Sequence, residues 1–123
     1  LGFAAASVPL SRLPGWDEHS YGYHGDDGNK FSANGRGSRY GPRYGDGDVV
    51  GALWDRVRRV IEFFRNGESV GVAFTEVGNS LPLYPTVGLR TRGAKVAVNL
   101  GPQAPGGSPF RLDLRGMEFR TRQ

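Results

Sequence analysis

The chain contains no cysteine, which excludes a disulfide scaffold, zinc–thiolate ligation and thiol nucleophiles and agrees with a reducing compartment. No apolar run approaches the roughly 20 residues that a membrane helix needs, and no charged-then-apolar leader is present, so neither a membrane span nor a signal peptide is expected. Lysine is scarce. Two Lys and 14 Arg stand against 12 acids, for a net charge of +4, and the arginines are scattered along the chain instead of forming one tract. That pattern reads as a solvated basic surface. Catalytic signatures are missing as well: there is no Gly-x-Ser-x-Gly elbow and no Gly-rich phosphate loop opening a helix. Neither an enzyme nor a cofactor is expected. RNP-like, zinc-finger and helix-turn-helix patterns are also absent.

What is abundant is glycine, 20 residues, with 8 prolines among 123 positions. With 37% hydrophobic and 23% charged residues, this fits one all-β domain with many turns better than a helical bundle. The stretch from Arg12 to Phe31 concentrates Trp16, Tyr21, Tyr23, Phe31, both histidines and four glycines. Glycine lets the backbone turn tightly, so these rings and the acids Asp26 and Asp27 are expected on loops as a recognition patch.

Along the chain, Leu1 to Ala6 is apolar from its first residue, as in a strand entered from inside a core, so a preceding segment is expected. Its lack would leave sheet edges open beside Leu1 to Ala6, and open edges invite pairing with another chain, including a second copy. His19 to His24 alternates as a short strand with Tyr21 and Tyr23 on one face; the pair either covers the core or stays available to a partner. Gly25 to Gly47 has almost no apolar run and reads as a long surface loop punctuated by Phe31, Tyr40 and Tyr44. Leu53, Trp54, Val57, Val60, Ile61 and Phe64 share the period of an amphipathic helix ending at Asn66-Gly67. Taken alone the period reads as a helix, although β-branched and aromatic residues dominate Val60 to Phe64 and Asn66-Gly67 makes a tight turn, as in a hairpin. Val70 to Thr75, Leu83 to Leu89 and Ala94 to Leu100 read as further strands, the last with Val96, Val98 and Leu100 on a buried face. Pro102 to Pro109 is turn-rich, and Phe110 to Leu114 is a candidate edge strand before a charged tail.

His19, His24, Asp17, Glu18, Asp26 and Asp27 have the donor chemistry of a metal site, but their spacing matches neither His-Glu-x-x-His nor a calcium loop. No metal is assigned. Their expected work is to hydrogen-bond loop backbone and hold the turns.

Leu13-Pro-Gly-Trp16, His19-Ser-Tyr-Gly-Tyr-His-Gly-Asp-Asp-Gly28, Gly47-Asp-Val-Val-Gly51, Gly71-Val-Ala-Phe-Thr75 and Leu83-Tyr-Pro-Thr-Val-Gly-Leu89 occur in an order that resembles the SPRY family, most of all its Ran-binding-protein type. The resemblance runs from Leu1 to about Gly101. It implies an antiparallel β-sandwich lacking its first strands, with residues 1–101 as the domain and 102–123 as linker and tail. It also implies a hairpin of Gly47 to Asp55 with Val60 to Arg65, although Arg56-Val57-Arg58 stands where relatives carry Asn or Gly. By function it implies a non-catalytic adaptor that binds a protein or peptide partner through loops at one end of the sandwich. Within the family this is scaffold work in a GID/CTLH-type ubiquitin ligase, in cytoplasm or nucleus. The partner surface expected is Leu13, Trp16, Tyr21, Tyr23, Phe31, Arg90 and Thr91, with Thr91 standing where peptide-capturing relatives carry Trp. The alternative is a basic β domain that binds single-stranded nucleic acid through exposed rings and arginines.

Overall fold

Alternation of side chains across a strand organises the first sheet. In the computed structural model, which describes residues 1–109, strand β1 (Gly2–Ala5) turns Phe3 inward, and β2 (Ser20–Tyr23) turns Tyr21 and Tyr23 the same way. The opposite faces of both strands carry only Gly2, Ala4, Ser20 and Gly22. β1 pairs antiparallel with β2 on one side and with β8 (Leu83–Thr86) on the other. β3 (Asn29–Ser32) and β4 (Ser38–Arg39) complete a five-stranded sheet in the order β4-β3-β2-β1-β8. The second sheet is β5-β6-β7, built from Val50–Asp55, Val60–Arg65 and Glu68–Phe74.

The hairpin reading of the ambiguous segment holds. β5 and β6 pair in register from Val50 opposite Arg65 to Asp55 opposite Val60. The turn between them is capped by Asp55, whose Oδ1 accepts from the N–H groups of Val57 and Arg58 at 3.0 Å each. An aspartate side chain thus closes the turn formed by Arg56-Val57-Arg58. Asn66 and Gly67 both have positive φ (52° and 85°), the conformation a two-residue hairpin turn requires.

Between the sheets lie Phe3, Tyr23, Ile61, Phe63, Ala73 and Val77. Tyr23 contacts Tyr40, Tyr44 and Phe63 with ring centroids 5.0, 4.8 and 5.4 Å apart, spacing at which aromatic rings gain beyond area burial. Tyr40 donates to the Gly71 carbonyl and accepts from the Phe63 N–H at 3.3 Å, joining β6 and β7 to the segment after β4. Tyr44 donates to the Tyr23 carbonyl and accepts from the Leu1 amino group at 3.3 Å. Burial raises the pKa of both hydroxyls above 10.0.

Three expectations are corrected. Gly25 to Gly47 is no structureless loop: it contains β3 and β4 and delivers Tyr40 and Tyr44 to the core. Its polarity misled because its few large side chains do all the inward packing. Ala94 to Leu100 forms no strand and is exposed throughout, since alternation makes a strand only where a ladder partner exists. Finally, β1 is an interior strand, so among the described residues the outermost strands are β4, β5, β7 and β8, and Leu1 to Ala6 is not at an edge. The candidate strand Phe110 to Leu114 falls outside the described residues.

Candidate functional site

The small side chains on the outer face of β1 and β2 allow the connection between them, Ala6 to His19, to lie directly on the sheet as a strap. Its anchor is Leu13-Pro-Gly-Trp16, where the Trp16 N–H donates to the Leu13 carbonyl at 3.2 Å and Gly15 has φ 98°. Proline second and a positive-φ glycine third is the sequence of a type II turn. The central peptide group of that turn is held on both sides. His24 Nε2 donates to the Pro14 carbonyl at 2.8 Å, and the Gly15 N–H donates to Ser20 Oγ at 2.6 Å. Beneath it, His24 stacks on Phe31 with centroids 3.9 Å apart and planes 21° from parallel. Burial lowers the His24 pKa below 6.5, and the bond to Pro14 partly opposes that shift.

One wall of a groove of about 800 Å³ is this strap; the other is β8 and the residues after it, and the floor includes Ala4 and Ser20. Leu13 and Trp16 line the strap side, while Tyr84, Val87 and Arg90 line the other. Gly88 closes the gap between walls: a Cβ there would come within 2.7 Å of Leu13 Cδ2. Two guanidinium groups stand at the groove, Arg12 paired with Asp17 at 3.1 Å and Arg90 with Asp26 at 3.6 Å. Two of the hydroxyls inside are engaged with backbone, Ser20 with Gly15 and Thr86 with the Tyr84 carbonyl at 2.9 Å. Walls that mix apolar and polar side chains, with both guanidinium groups paired, suit binding more than proton transfer.

The seven residues expected to converge divide. Leu13, Trp16 and Arg90 line the groove, and Thr91 follows Arg90 on exposed chain. Tyr23 is fully buried between the sheets and Phe31 is buried under the strap, so neither offers a surface to a partner. Tyr21 is half-buried, edge-on to Phe74 at 5.1 Å. Glycines around Phe31 suggested an exposed ring, whereas Gly15 is small because Phe31 packs against it: a Cβ at Gly15 would lie 2.6 Å from that of Phe31. Of the acids and histidines expected to hold turns, Asp27 does so by accepting from the Asn29 N–H at 2.8 Å and His24 by donating to Pro14, whereas Asp17 and Asp26 pair with arginines. Sequence reasoning missed Tyr84. Its signal was a tyrosine alternating with Leu83 and Pro85 beside a proline that belongs on an edge strand.

The model of the SPRY domain matches residues 1–103. Ran-binding protein 9 of Xenopus tropicalis is 45% identical over 99% of this chain and 21% of its own length; the human Ran-binding protein 9 is 44% identical over 99% and 16%. The Ran-binding protein M homolog of Arabidopsis thaliana is 33% identical over 99% of this chain and 25% of its own. The chain thus spans no more than about a quarter of the curated relatives named here. A crystal structure of a human SPRY domain superposes with a TM-score of 0.56 at 30% identity, covering 58% of this chain and 48% of that one. Fold, motif order and these matches together show that the chain belongs to the SPRY domain family.

Proposed function

We propose that this domain is a non-catalytic adaptor that binds an extended peptide segment of a protein partner in the groove between the strap and β8. The observation that carries the reading is the groove itself: its volume of about 800 Å³ is in the range of ligand sites, and Trp16, Leu13, Tyr84 and Val87 face a floor of small residues. Large rings with a guanidinium nearby are the composition from which interface anchors are drawn. Arg90, with Thr91 beside it, forms the mouth. The similarity to Ran-binding proteins 9 and 10 extends the proposal to scaffold work in a GID/CTLH-type ubiquitin ligase, recruiting partners in cytoplasm or nucleus.

The test is a peptide-library screen, followed by titration of the best binder at two ionic strengths. Trp16→Ala and Tyr84→Ala are each expected to weaken that peptide at least tenfold, about 1.4 kcal/mol, with only modest salt dependence. Undiminished binding by both folded variants overturns the groove assignment. A single-stranded oligonucleotide that binds and is lost steeply with salt would replace the adaptor reading with nucleic-acid binding.

A further inference from the structure

Asn-Gly occurs twice in the chain, at Asn34-Gly35 and Asn66-Gly67, and both asparagines are exposed. Glycine leaves its own backbone nitrogen uncrowded, so that nitrogen can reach the side-chain carbonyl carbon, Cγ, of the asparagine before it. The two turns hold their asparagines differently. Asn66 is tied to the segment entering β5 by three bonds. Its Nδ2 donates to Asp48 Oδ1 at 2.9 Å, its Oδ1 accepts from the Val49 N–H at 2.9 Å, and its own N–H donates to the Val49 carbonyl at 2.7 Å. Its backbone is also fixed in the left-handed region at φ 52°. The Asn66 amide cannot swing toward Gly67 without breaking these bonds.

Asn34, in the connection between β3 and β4, has one side-chain bond and a local one: its Oδ1 accepts from the Arg36 N–H at 2.7 Å. An Asx turn of this kind folds the side-chain carbonyl back over the peptide that follows, here that of Gly35. The same N–H polarises the carbonyl and faces the oxygen on which negative charge gathers when a nucleophile adds. Gly35 stands clear, since a Cβ there would meet no other atom within 4 Å. No neighbour blocks closure of a ring at this point.

We propose that Asn34 is a site of spontaneous covalent modification, deamidation, in the folded protein. The Gly35 nitrogen adds to Asn34 Cγ; the N–Cγ bond forms, the Cγ–Nδ2 bond breaks, and the Gly35 proton leaves with the amide nitrogen as ammonia. Water then opens the five-membered succinimide at one carbonyl or the other, leaving aspartate or isoaspartate. Either product brings a negative charge to a segment whose charged residues, Arg36 and Arg39, are both cationic. Isoaspartate also routes the backbone through the side-chain carbon. The change falls close to Gly37, which lies against the ring that supports the strap: a Cβ at Gly37 would be 2.6 Å from Phe31 Cζ.

The 123-residue chain, aged at neutral pH either folded or in concentrated urea, is digested with trypsin and the two asparagines are followed by mass. In the folded chain Asn34 is expected to convert at least tenfold faster than Asn66, and in urea the two rates should become comparable. Arg36→Pro keeps the dipeptide but lacks the N–H, and should slow Asn34 at least threefold in the folded chain and not in urea. Asp48→Ala removes one partner of the Asn66 amide and should speed Asn66 by a similar factor, which decides the comparison if Arg36→Pro fails to fold. Asn34 left intact in the folded chain, or converting no faster than Asn66, overturns the proposal. So does conversion at Asn34 that begins only when urea unfolds the chain.

Discussion

Ser20 and His24 grip opposite sides of one peptide group, that of Pro14 and Gly15, from two positions on the same face of the chain at β2. Between them sits Gly22, where a Cβ would lie 2.2 Å from the Pro14 oxygen. Three alternate residues of the sheet thus fix the height and orientation of one groove wall.

Gly22→Ala should therefore act at a distance. The Pro14 oxygen belongs to the backbone and has to retreat, lengthening the bonds from His24 and to Ser20. A stability loss of about 1–3 kcal/mol is expected, together with weaker peptide binding although Gly22 is not exposed to the groove. Urea titration and peptide titration of one sample measure both, and an unaltered value in each would refute the strap's dependence on this contact.

Phe31 and Tyr84 separate folding from binding. Phe31→Ala empties the space under Gly15 and removes the ring on which His24 stacks, so a loss of about 3–5 kcal/mol is expected. Tyr84 is 52% exposed, and Tyr84→Ala should shift stability by less than about 0.5 kcal/mol while reducing affinity. Exchanged phenotypes would place the recognition ring at Phe31.

Acidification should loosen the fold. Burial lowers the His24 pKa below its ordinary 6.5, so as the pH falls through that value the unfolded chain binds a proton that the folded chain rejects, and stability, full above 6.5, declines. The denaturation midpoint should fall across that window, and fall less in His24→Gln. Identical pH profiles for the two chains would show that the imidazole is not buried in solution.

Tyr40→Phe keeps the ring between Tyr23 and Phe63 but removes the hydroxyl that serves both the Gly71 carbonyl and the Phe63 N–H. Leaving those groups unpaired should cost about 1–3 kcal/mol. Faster amide exchange at Phe63 is the local signature; unchanged exchange and stability would mean that water replaces the hydroxyl.

Much of the fold was legible where two local signals agreed. The aromatic and β-branched run Val60 to Phe64, together with the family resemblance, outweighed a helical period to give the β5–β6 hairpin, and Asn66-Gly67 marked the turn from β6 to β7. Tyr21 and Tyr23 were placed on one face by alternation, but alternation does not say whether a second sheet covers that face. The segment Lys95 to Leu100 alternates as clearly and forms no strand, because ladder partners are chosen by topology. Half of the candidate site was legible for the same reason. Leu13 and Trp16 belong to a recognisable turn, whereas Tyr84 joins them only because β8 pairs with β1, a contact spanning some eighty positions of sequence.

The strap is held to the outer face of the sheet unevenly along its length. Pro14 and Gly15 are locked to the sheet, while Pro9 to Arg12 are exposed, Leu10 at 94%. Substitutions at the tip therefore change what the groove meets first without disturbing what holds it in place. Such a division between a constant anchor and a free margin is favourable ground for divergence in specificity among related domains, and equally for redesign: the tip can be varied in a library while every member retains the turn, the stacked rings and the core.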